Sequence, residues 1–385
     1  MIRFTTAGES HGESLVVVVE GIPAGLIIDV KEINVELARR QRGYGRGERM
    51  NIETDTAKIL SGMRHQRTIG SPIAITIANK DFKNWTDVMS PSSSASCGKA
   101  LLRPRPGHAD LAGLMKYGVN DFRDILERAS ARETASRVVA GAICKVVLKE
   151  FGIKIMSYTL QIGNIKADIS SIKENKIWQD SEKSDIRCPD KLTSKKMMEL
   201  IDEARTKGDT LGGKIVVIAK NIPVGLGSHT QWDLKLDGRL AQSLISIQAF
   251  KSVEFGAGTK LAELFGSMSH DEIFYNKTKG FYRKTNRAGG IEGGMSNGES
   301  IVITCTMKAI PSLVNSLHSV NLATKKMAKA EAVRSDVCAV PAAGVVAEAA
   351  VAIELAKALT EKFGSDCIND MKNNVNSYKE RLKAI

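Results

Sequence analysis

Two of the chain's six histidines stand in glycine-flanked polar clusters, His11 in GESHG (8–12) and His108 in RPGHAD (105–110). Imidazole alone has an unperturbed pKa near neutrality, so two histidines facing an anion point to proton transfer at physiological pH. His65, His229, His270 and His318 have no comparable setting. Pro104 and Pro106 stiffen the second cluster and restrict Arg105 and His108 relative to each other.

The anion is suggested by RASARE (128–133). Ser130 followed by Glu133, just before an apolar helical pattern, has the spacing of a capping box and predicts a helix from Ser130. Arg128, Arg132 and Arg137 crowd that end. Cations at a helix N-terminus oppose the macrodipole by about 0.3–1 kcal/mol, and a bound phosphate would reconcile them. In ARRQRGYGRGERM (38–50), Arg39, Arg40 and Arg42 suit a helix C-terminus. Gly43 and Gly45 then read as a helix stop and mobile loop, where Arg46 and Arg49, offset only by Glu48, form either a lid over an anion or a solvated turn. The glycine-rich NRAGGIEGGMSNGES (286–300) fits neither standard nucleotide fingerprint and reads as a structural loop.

With 55 Lys and Arg against 43 Asp and Glu, the net charge of +12 suits nucleic acid or an anionic small molecule. An aromatic content of 5% offers few stacking platforms for single strands, and arginines gathered beside glycines favour a compact polyanion. The six cysteines lack metal-site or redox spacing, so no metal is expected. MIRFTTAGES has no signal-peptide pattern and no long apolar run follows, which predicts a cytoplasmic chain without a membrane span.

The elements that must position these residues repeat. SLVVVVEGIPAGL (14–26) returns as KIVVIAKNIPVGL (214–226), and the run of four valines reads as a strand buried on both faces. A helical pattern follows each copy, carried by Ile33 and Leu37, then by Leu240, Leu244 and Ile247. Next come strands at 71–80 and 299–308, then long apolar helices at 136–152 and 345–364. The prediction is a single α/β sandwich over 1–385, with helices layered against sheets. Its pseudo-twofold halves are 1–152 and 213–364, joined by 153–212, in which the polar stretch 166–190 reads as a surface excursion or linker.

GESHG, RPGHAD, RASARET (128–134), GGIEGGMSNG (289–298) and RSDVCAVP (334–341) resemble, in order and across nearly the whole chain, the signature segments of the chorismate synthases. The resemblance implies a β-α-β sandwich, usually a homotetramer. It also implies an anti-1,4-elimination of phosphate and the C6 hydrogen from 5-enolpyruvylshikimate 3-phosphate, requiring reduced FMN without net redox change. Carried over position by position, Arg40, Arg46, Arg105, Arg132 and Arg334 meet the substrate's anionic groups. His11, with Ser10 beside it, protonates the departing phosphate; His108 serves the reduced flavin; Asp336 helps remove the C6 proton. Arg128, Ala129, Ser130, Gln248, Ala249, Gly293, Lys308, Ala309, Ile310, Pro311, Ser312 and again Arg334 are the implied FMN contacts. Ala309 replaces a proline that many members carry. The short length fits the form fed by an external flavin reductase, and sequence leaves open whether NADPH is oxidised directly. An RNA-binding protein and a flavin-dependent redox enzyme are the rival readings.

Overall fold

The computed structural model describes residues 1–47, 53–92, 100–278, 280–332 and 336–385. Two antiparallel sheets dominate it. Across the first lie Arg3–Ala7, Ser14–Glu20, Ile73–Ala78 and Ala57–Ile59. Across the second lie Lys154–Ile162, Gly213–Lys220, Ile301–Met307 and Phe250–Phe255, with Ile165–Lys166 added outside the first of these. Each set of four takes the same order relative to the chain. The register repeats too, since Val16 faces Thr76 in one sheet and Val216 faces Thr304 in the other.

The four-valine strand is buried on one face only. Leu15, Val17 and Val19 are covered while Val16 and Val18 are half-exposed, as expected of an antiparallel sheet packed on one side. The covering layer is helical. Thr134–Lys149 packs on Ser14–Glu20, Val340–Phe363 packs on Lys154–Ile162 and Gly213–Lys220, and the two long helices pack on each other. A Cβ on Gly141 would stand 2.3 Å from the Cβ of Ala349, so only glycine permits this crossing.

The segment 153–212 is more than a connection. Lys154–Ile162 is the second sheet's counterpart of Arg3–Ala7, and the polar stretch 166–190 contains the helix Glu174–Lys183. That helix carries Glu182 to Arg39 at 2.8 Å and sets the Trp178 ring 4.9 Å from the Arg39 guanidinium. At the centre lies Glu348, fully buried on Val340–Phe363, which accepts from Arg39, Lys145, Arg187 and Ser157. Burial would raise its pKa; Lys145, Arg39 and Arg187 together hold it far below the usual range instead. Arg39 is therefore an internal cation, satisfied without a ligand. Among the described residues, no helix is long and apolar enough to cross a membrane.

Candidate active site

The turn that carries His11 leaves the Arg3–Ala7 strand and enters Ser14–Glu20, so sheet pairing fixes both its ends. Glu127, on the helix Arg123–Ala129, reaches it from the far side of the sequence. Its carboxylate accepts the His11 backbone N–H at 2.8 Å and meets ring Nδ1 at 2.9 and 3.0 Å, while its carbonyl accepts the Ser10 N–H at 3.0 Å. The Trp85 ring lies 4.1 Å from the His11 ring, held by its Nε1–H donating to Asp81 at 3.1 Å.

His108 is held in the same way. Its Nδ1 meets Asp110 at 2.5 Å, and Asp110, fully buried at the start of the helix Asp110–Tyr117, also accepts from Arg105 Nε at 2.9 Å and Nη2 at 3.1 Å. Burial would raise the pKa of Asp110, but the hydrogen bonds from His108 and Arg105 outweigh it and bring the carboxyl down to about 2. Arg105 Nη1 continues to the Ser312 hydroxyl at 2.7 Å, and Lys308 Nζ donates to the Gly107 carbonyl at 2.6 Å. Burial first, then Lys251, lowers the pKa of Lys308. The 105–110 and 308–312 segments, two hundred positions apart, thus form one unit.

Beside the His11 turn lies a buried charge cluster. Arg132 holds Asp55 at 2.6 and 2.8 Å and donates from Nε to Asn79 at 2.9 Å. Asn79 in turn donates to the carbonyls of Glu9 and Gly12, which ties Arg132 to the His11 turn. Arg40 donates to Thr134 Oγ1 and Ala131 O. Its pKa is lowered to about 10, by burial above all and then by the nearby Arg46 and Arg132, against the pull of Asp55 and Asp336. Arg46 pairs with Asp336 at 3.2 Å, and the Gly47 N–H donates to the same carboxylate at 2.6 Å. Two guanidinium nitrogens, Arg40 Nη1 and Arg132 Nη2, are buried without a hydrogen-bond acceptor. Each faces a carboxylate beyond hydrogen-bond reach, Arg40 Nη1 at 3.6 Å from Asp55 and Arg132 Nη2 at 3.8 Å from Glu53, so their charges are paired while the N–H groups are not bonded.

Several expectations change here. Ser130 caps a short 3₁₀ turn, Ala131–Glu133, and the α-helix starts at Thr134. Glu133 does not close a capping box, because its carboxylate accepts from Thr6, Arg137 and Gln248. The arginines at this end are not waiting for an anion in common: Arg128 donates to Thr6 and Gly8 carbonyls, Arg137 pairs with Glu133, and Arg132 holds Asp55. The described start of the loop after Gly43 is tied down, since Tyr44 donates to Asp202 and the Gly45 carbonyl accepts from Val337. Glu48, Arg49 and Arg334 lie outside the described residues.

Among the described residues, the implied flavin contacts fall into one connected group with one outlier. Gln248 donates to Glu133 at 3.4 Å beside Ser130, and the Ala249 carbonyl accepts the Lys308 N–H at 2.9 Å. That joins Arg128, Ala129 and Ser130 to Gln248, Ala249 and the segment Lys308, Ala309, Ile310, Pro311 and Ser312. Gln248 Oε1 is buried without a partner. Arg128 and Gln248 also line a cavity of about 620 Å³ with Thr6, Arg137 and Ser246. Gly293 is the outlier: with Gly294 it makes the two-residue turn of the hairpin Ile291–Glu292 and Met295–Ser296, both at positive φ. The Leu236 N–H donates to Gly294, so this turn sits at the start of the helix Leu236–Ile245, whose other end leads to Gln248.

Glu127, Asp55, Asn79 and Trp85 had no sequence signal beyond their residue types. Asp110 stood inside a quoted motif without a role.

The family model described as Chorismate synthase matches residues 2–360. A chorismate synthase of Endomicrobium trichonymphae is 74% identical over 385 residues, covering all of both chains. One of Sulfurihydrogenibium sp. (strain YO3AOP1) is 52% identical over 99% of each. A solved structure titled "Crystal Structure of Chorismate Synthase" superposes with a TM-score of 0.82 at 42% identity, covering 100% of this chain and 99% of that one. These likenesses displace the RNA-binding and flavin-redox readings, and the chain belongs to the chorismate synthase family.

Proposed function

We propose that the two carboxylate-held histidines and the Arg40, Arg46 and Arg132 cluster carry out the family's reaction, the 1,4-elimination of phosphate from 5-enolpyruvylshikimate 3-phosphate. The observation that carries this reading is the buried cluster itself: Arg40 Nη1 and Arg132 Nη2 make no hydrogen bond and only long ion pairs, to Asp55 at 3.6 Å and Glu53 at 3.8 Å, and Arg132 Nε reaches the His11 turn through Asn79. They suit a multiply charged substrate.

In the elimination, the C6–H electron pair becomes a ring double bond, the existing double bond shifts, and the C3–O bond breaks with its pair on phosphate. Arg40, Arg46, Arg105 and Arg132 neutralise the substrate anions, as does Arg334 by family resemblance. His11 donates its Nε2 proton to the departing phosphate, and Ser10 orients that group. Asp336, held by Arg46 and the Gly47 N–H, accepts the C6 proton. His108 holds a proton on the flavin side of the site.

The residues fit FMN: the 128–130, 248–249 and 308–312 segments form one contact group, Lys308 supplies a cation for the phosphate, and the buried Gln248 Oε1 offers an unused acceptor. Gly293 would join them from the neighbouring hairpin turn. When bound, reduced FMN supplies a transient source of electron density to the substrate ring. An external reductase would keep it reduced, in the cytoplasm. Self-association, in the family a homotetramer, is supported by uncovered apolar surface on the hairpin Ile273–Asn276 and Gly280–Arg283, where Ile273, Tyr275 and Phe281 are exposed. Chorismate formation from substrate and chemically reduced FMN under nitrogen tests the reading.

A further inference from the structure

We infer that Glu127 is a positioning residue for His11, holding the ring with its proton on Nδ1 so that only Nε2 exchanges a proton with the substrate. The inference rests on the reading of His11 as the proton donor.

The Glu127 side chain is 1% exposed, yet it makes the same two contacts a dedicated holder needs. One is to the His11 backbone N–H at 2.8 Å, which fixes the turn; the other is to ring Nδ1 at 2.9 and 3.0 Å, which fixes the ring's rotation. A carboxylate can only accept here, so Nδ1 must donate. When the imidazolium gives up a proton, the one on Nε2 leaves, and the neutral ring keeps the Nδ1–H that Glu127 already holds. The Trp85 ring at 4.1 Å closes one face and limits tilting.

His108 supplies an internal comparison. Its carboxylate partner, Asp110, is shared with Arg105 through three hydrogen bonds, whereas among the described residues the Lys or Arg that pairs with Glu127 is Arg123, at 3.8 Å. Asp110 therefore serves Arg105 and His108 together, while the short contacts of Glu127 go to His11.

The variant Glu127→Gln separates positioning from packing. Its amide oxygen can keep the His11 N–H, which turns the NH₂ group toward Nδ1 and forces the ring's proton to Nε2. In protein labelled with ¹⁵N histidine, the neutral His11 ring is expected to carry its proton on Nδ1 in the wild type and on Nε2 in E127Q. Turnover of E127Q should fall on the order of 10²-fold with KM for the substrate unchanged, the loss expected of removing one general acid. E127Q combined with His11→Ala should be no slower than His11→Ala alone, because both changes remove one function. A wild-type ring protonated on Nε2, wild-type turnover in E127Q, or a further loss in the double variant overturns the inference. His11→Ala at wild-type turnover overturns the reading of His11 itself, whatever the tautomer proves to be.

Discussion

Ser10 and Ser130, 120 positions apart in the chain, meet hydroxyl to hydroxyl at 3.2 Å. Ser130 also accepts the Arg132 N–H, so this one contact joins the His11 turn to the turn that presents Arg132. His11, the proposed proton donor, and Arg132 of the proposed anion site are thereby referenced to the same backbone.

His11→Ala and His108→Ala should each lower turnover by about 10² or more with substrate affinity largely retained, the size expected of a general acid. Steady-state kinetics with saturating reduced FMN measures both. Unchanged turnover removes that histidine from the mechanism.

The Arg132 and Asp55 pair is buried, with side chains 3% and 0% exposed, so Asp55→Ala removes the carboxylate that Arg132 bonds and Arg40 faces, leaves only Glu53 at 3.8 Å, and should cost about 3–5 kcal/mol in a urea melt. Glu380→Ala, breaking the exposed Lys383 and Glu380 pair, should cost about 0–1 kcal/mol. Equal losses would contradict the assignment of Asp55 to the buried cluster. Arg132→Ala should weaken substrate binding as well as the fold.

Asp110 ionises at about 2 in the fold against an ordinary 3.8, so the folded state binds its proton less readily than the unfolded chain. Its contribution to stability is complete above about pH 4 and is lost as the pH falls toward 2. The gap in unfolding free energy between wild type and Asp110→Asn should therefore shrink across that window. A gap that stays constant from pH 6 to pH 2 contradicts it.

Gly141→Val puts a branched side chain where even a Cβ would stand 2.3 Å from Ala349. The helix crossing must open, at about 1–3 kcal/mol, read as a lower melting temperature. Unchanged stability would mean the two long helices do not pack as described.

The elements were legible through strand and helix periodicity: each strand and helix read in 14–152 and 214–364 is present. Their register, Val16 facing Thr76 and Val216 facing Thr304, comes from pairing that the periodicity does not show. The histidines were legible through their glycine-rich surroundings. Their carboxylates were not, since Glu127 sits in an ordinary charged helical stretch and its aim at His11 is set by sheet pairing 116 positions away. For the same reason the arginines of RASARE looked unpaired: Asp55 and Asn79 arrive from the first sheet, by tertiary packing that no local spacing encodes. The four valines misled because an apolar run does not show which face a helix layer will cover.

The most direct test is an anaerobic assay with 5-enolpyruvylshikimate 3-phosphate, following chorismate absorbance with chemically reduced FMN and again with oxidised FMN plus NADPH. The account predicts product in the first mixture, and product there alone identifies an enzyme supplied by a separate reductase. No chorismate in either mixture, from folded protein, would contradict it.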